Sequence, residues 1–178
     1  MSRLVNLLES IVRGFGYLAA ILVLPLIAAM IWEVFSRYVL KAPTIWAFEV
    51  SYMLMGSLFV VGLGYTLQMH NNVRVDFFYG AVSKRWRAAI DLLIFAMMTV
   101  FTVWLLFGLW DYLWEAVRRN ETSGESFWNP PVWPFRLCFI IGFALLLLQL
   151  VLELIKCLFV LFDRDPPGCT PESLKGAI

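Results

Sequence analysis

The sequence predicts an all-α membrane protein of four transmembrane helices, and three observations carry that prediction. Hydrophobic residues make up 61% of the 178-residue chain and charged residues 15%, against roughly 45–50% and 25% in soluble domains. A soluble fold of this length could not bury so much apolar surface. Four windows, 17–38, 45–69, 88–110 and 135–158, are each apolar enough to cross a bilayer and reach the roughly 20 residues that a spanning helix needs. Between them lie only short polar connections, so the chain reads as one integral membrane domain, 1–178, without linkers. Backbone groups in lipid have no water to bond, which makes the windows helices.

The first span follows Arg3 and Arg13, a pattern shared with signal peptides. Its apolar run continues through Trp32 without a small-x-small cleavage site, which predicts an uncleaved helix. Pro25 predicts a kink or local unwinding inside it. Glu33 and Arg37, spaced i, i+4 at its far end, share one face and can neutralise each other. The second span opens with Trp46 and Glu49 and carries Gly56, Gly62 and Gly64 with Ser51 and Ser57. Small residues let helices approach closely, so this span is expected to pack against protein. A basic turn, Ser83-Lys84-Arg85-Trp86-Arg87, precedes the third span, and Asp91 lies in its first turns.

The segment 111–134 is read as the longest polar connection. It sets Asp111, Glu115, Glu121 and Glu125 against Arg118 and Arg119, and closes on Trp128-Asn129-Pro130-Pro131. It suits either a solvated turn or a docking surface for a partner outside the membrane. The fourth span ends with Glu153 and Lys156 at i, i+3. Charges near span ends can reach the interface along their own stems, which favours anchoring and helix pairing over an ion pathway.

Four spans put both termini on one side. That side carries nine of the 14 Lys and Arg residues, so the chain is expected to run N-in/C-in. Tryptophans and tyrosines around both outer turns agree with an interfacial belt. The net charge of +1 gives no field for nucleic acid; the implied partners are lipid and other membrane helices. Cys138, Cys157 and Cys169 show no paired spacing and read as core-type cysteines.

Catalysis finds no support: no nucleophile–base pair, phosphate loop or metal-ligand cluster appears, and no cofactor is expected. The single histidine, His70, cannot supply the paired axial ligands of a b-type haem. A four-span anchor subunit of a respiratory or redox complex remains an alternative, since quinone contact needs no such pair. A free-standing small transporter would need a polar midplane site, for which the sequence gives no pattern.

Three blocks make the chain specific. Glu33, Arg37 and Tyr38 lead into Pro43-Thr44-Ile45-Trp46 and Glu49, and on to Asn72-Val73-Arg74-Val75-Asp76. The basic turn 83–87 with Asp91 follows. The last runs from Glu121 through Glu125 to Trp128-Asn129-Pro130-Pro131 and Trp133-Pro134, then reaches Leu148-Gln149. In this order on four spans, over residues 15 to 160, they resemble the DctQ-like small membrane subunit of tripartite ATP-independent periplasmic (TRAP) transporters. One departure is visible: Asn72 stands where such proteins usually carry His, and His70 lies two residues earlier.

The resemblance implies a bacterial inner-membrane subunit, not an enzyme. Its expected partners are a large DctM-like permease subunit of elevator type and a periplasmic substrate-binding protein. It implies a scaffold role during sodium-coupled solute uptake, with Glu33, Arg37, Trp46, Glu49, Asp76, Arg85, Glu125 and Trp128 as subunit-interface residues. The transported solute is read by the other components.

Overall fold

The computed structural model describes residues 2–69 and 84–161, with side chains over 3–69 and 89–159. His70, Asn72, Arg74, Asp76 and Cys169 therefore lie outside the described residues. Arg85 stands in the first turn of a described helix, but its side chain lies outside as well.

Among the described residues four helices follow in order: α1 (Ser2–Tyr38), α2 (Ala47–Gln68), α3 (Lys84–Arg119) and α4 (Trp133–Leu161). Each is long and apolar enough to cross a membrane, as the composition predicts. The helices overrun the apolar windows. α1 starts at Ser2, and α3 runs on to Arg119, so much of the segment expected to be a polar connection is helical. Polar residues end an apolar run without ending helical geometry, because outside the hydrocarbon their side chains are solvated while the backbone ladder continues. α1 also passes unbroken through Pro25, so the local unwinding expected there does not occur.

α1 packs along α2, α2 along α4 and α4 along α3, with a minor contact between α1 and α4. The helices thus stand in the order α1–α2–α4–α3. Within the most apolar stretch of each helix, 11% is buried in α1 and α3 but 33% in α2 and α4; the middle pair is the core and the outer pair presents apolar faces outward. Val12 and Ala19 of α1 meet Val61 of α2 and Leu145 of α4, with Phe15, Tyr65, Ile141 and Leu148 around them. A second cluster joins Leu67, Phe95 and Leu150 across α2, α3 and α4.

Glycine sets the closeness of the central crossing. A Cβ on Gly142 would fall 2.6 Å from the Val60 carbonyl group, and one on Gly64 would fall 3.2 Å from that of Leu145. The two backbones touch there without intervening side chains, as the small residues of span two predict. Gly142, on the facing helix, belongs to the same contact. In a bilayer such close packing supplies the dispersion contacts that a hydrophobic driving force supplies in water.

Polar side chains gather at two levels. Glu33, Thr44, Glu49, Ser123, Glu121 and Arg136 mark one end, and Glu9, Gln68, Glu153 and Lys156 mark the other, where the described chain begins and ends. Helix rise puts Glu49 about 29 Å from Gln68 and Arg136 about 30 Å from Lys156, close to the hydrocarbon thickness of a bilayer.

Candidate interface sites at the ends of the bundle

At the end away from where the described chain begins and ends, Glu33 ties α1 to the start of α2. Its Oε1 accepts from Arg37 Nε at 2.9 Å, and Arg37 Nη2 closes a second bond to the same oxygen. Its Oε2 accepts from the Thr44 backbone N–H at 3.0 Å and from the Thr44 hydroxyl. The Glu33 side chain is mostly buried and that of Arg37 is 58% exposed. The expected i, i+4 pair thus forms, and it also fixes the connection to α2. That connection turns through Lys41 at φ 53, beside the buried Ser36, whose carbonyl accepts from Ala42 N–H at 3.0 Å.

Trp46 occupies the N-cap of α2 without a capping side chain, and Glu49 lies in the first turn, where a carboxylate suits the helix dipole. Glu49 is fully buried. Its Oε1 accepts from Ser123 Oγ at 2.8 Å, while its Oε2 has no partner. Ser123 belongs to the α3–α4 connection, 74 residues away in sequence, so Glu49 pins a distant loop onto α2. Its carboxylate faces inward, and any effect on a partner runs through the loop it holds.

That loop is a small ordered hairpin. Thr122 and Pro131 form an isolated antiparallel bridge, with Ser123 N–H on Pro130 O at 3.0 Å and Val132 N–H on Glu121 O at 3.1 Å. Gly124 turns at φ 68, a conformation that suits a residue without Cβ, and its N–H bonds Asn129 Oδ1 at 2.8 Å. The turn leaves Phe127 97% exposed, with Glu125 and Trp128 also at the surface.

Arg136, counted in the sequence only as a charge, joins three elements. Its guanidinium lies 2.6 Å from Glu121 Oε2 and donates from Nη1 to the Tyr112 carbonyl at 2.8 Å. It also stacks 3.4 Å from the centre of the Tyr112 ring. The Glu121–Arg136 and Glu49–Ser123 pairings escaped the sequence reading because the partners lie on different elements. Cys138 and Cys157 are half-buried.

This geometry is one of fixed connections and outward apolar faces. Residues 26–159 match the family described as "Tripartite ATP-independent periplasmic transporters, DctQ component". The chain belongs to that family. The match includes part or all of all four helices. The protein is thus a multi-pass membrane component of the TRAP transporter type, a family of transporter components, and this membership does not favour the redox-anchor alternative. No curated protein matches the chain.

Proposed function

We propose that this DctQ-family chain is the small permease subunit of a TRAP transporter in a bacterial inner membrane. In this reading it catalyses no reaction. It is a scaffold beside a large, DctM-like elevator-type permease subunit, and it helps dock a periplasmic substrate-binding protein during sodium-coupled uptake. Family membership across residues 26–159 carries the reading. The outward apolar faces of α1 and α3 support it, since they offer a partner helix more contact area than the central pair does. An elevator needs one part held still while another moves, and close-packed helices with pinned connections suit the stationary part.

Both termini face the cytoplasm in this reading, by the surplus of Lys and Arg at that end, and the 120–132 hairpin faces the periplasm. Glu33, Arg37, Trp46 and Glu49 hold the outer ends of α1 and α2 in the shape that the large subunit meets. Asp76 and Arg85 fix the inner loop at the headgroups, and Glu125 and Trp128 face the binding protein. Lipid covers what the partners leave.

The test replaces Glu33 and Arg37 together by Ala in the assembled transporter. The expected outcome is reduced recovery of the large subunit with this chain and unchanged substrate preference. Undiminished co-purification contradicts the role given to this pair.

A further inference from the structure

The end of the bundle where the described chain begins and ends gathers five polar side chains from three helices, about a bilayer's thickness from the hairpin. Lys156 Nζ lies 2.7 Å from Glu9 Oε1 and 3.0 Å from Glu153 Oε1, bridging α1 and α4. Gln149 Nε2 donates to Glu153 Oε1 at 2.8 Å, and Gln68 Nε2, on α2, donates to the Glu9 carbonyl at 3.1 Å. Each glutamine thus has its nitrogen engaged, while the oxygens Gln68 Oε1 and Gln149 Oε1 are buried without a partner.

Gln149 is 0% exposed and Glu153 3%. Through its nitrogen the Gln149 amide is held against the Glu153 carboxylate, and the oxygen of the same amide is buried without a donor. Among the described residues the cluster is rich in acceptors and short of positive charge, with two carboxylates around one ammonium. Buried acceptors without donors and buried charge without full compensation are both strongly unfavourable.

We propose that this cluster binds a monovalent hard cation, with Gln149 Oε1 and the Glu153 and Glu9 carboxylates as its oxygen donors. Oxygen ligands select hard cations over soft ones. A water molecule would satisfy the amide oxygens and leave the charge uncompensated, and a divalent ion would reverse its sign. Among the described residues Lys156 supplies one positive charge against the two carboxylates, and the ion supplies the other. Bound there, the ion draws the ends of α1 and α4 together. The proposal does not depend on the transport reading.

The test is thermal unfolding of the full chain, purified in detergent with any subunits that accompany it, in Na+, K+ or Li+ against choline at equal ionic strength. At least one small cation is expected to raise the midpoint saturably, by about 3–6 °C at ten times its dissociation constant. Glu153→Gln and Gln149→Leu should each abolish that rise, whereas Glu115→Gln, on the exposed Glu115–Arg119 pair of α3, should keep it. No difference between choline and the small cations overturns the proposal, and the wild-type chain alone decides this if a variant fails to fold. A rise that survives in both cluster variants overturns it too. So does a rise driven by acid and indifferent to the cation, which would assign a proton.

Discussion

Glu49 offers two buried oxygens and receives one donor, the Ser123 hydroxyl. Removing that donor leaves a buried acid with nothing to bond, so Ser123→Ala is expected to destabilise the chain by about 1–3 kcal/mol. Glu49→Gln keeps the acceptor for Ser123 and carries no charge to bury, so it should be much milder. Denaturation of the two variants in the same detergent checks the order, and equal losses would mean that the bond contributes little. Arg136 is the other high-stakes residue at this end, with its side chain 12% exposed. Arg136→Ala removes the ion pair to the part-exposed Glu121 carboxylate and the contacts to Tyr112, and should cost about 1–3 kcal/mol. Faster proteolysis within the 120–132 hairpin is the accompanying sign.

At the scale of elements, the α2–α4 crossing depends on missing side chains. Gly142→Ala would place a Cβ 2.6 Å from the Val60 carbonyl group, forcing the central helices apart at about 1–3 kcal/mol. Gly108→Ala is the control, because a Cβ there meets nothing within 4 Å and a helical Gly→Ala change is otherwise mildly stabilising. Unfolding midpoints that fall for Gly142→Ala and hold for Gly108→Ala are expected.

These elements also show what a sequence can reveal. The four spans, the Glu33–Arg37 pair and the close approach at Gly64 were legible because each is written in local spacing: hydropathy over a window, i, i+4 geometry, recurrent small residues. The start of α1 was hidden because Arg3, Asn6, Glu9, Ser10 and Arg13 interrupt the apolar run without interrupting the helix. The end of α3 was hidden for the same reason. The Glu49–Ser123 pin and the Glu9–Lys156 bridge join residues far apart in sequence, and no local pattern records which helix faces which.

For the whole molecule, the row α1–α2–α4–α3 with burial concentrated in the middle pair gives a stiff strip whose two outer helices remain open to lipid or protein. If the strip stands with its termini in the cytoplasm, a cysteine replacing Glu125 in a chain cleared of its native cysteines reacts with impermeant thiol reagent from the periplasm. One replacing Lys175 reacts only after the membrane is opened. The reversed pattern would invert the assignment of the hairpin to the periplasmic side. The central claim, that this strip is the fixed companion of a larger permease, is tested most directly by affinity purification of the intact chain from its own host membrane, followed by mass spectrometry. The account predicts a large multi-span subunit at one copy per copy of this chain. Recovery with a soluble oxidoreductase in its place, or as a homo-oligomer with no companion, would contradict it.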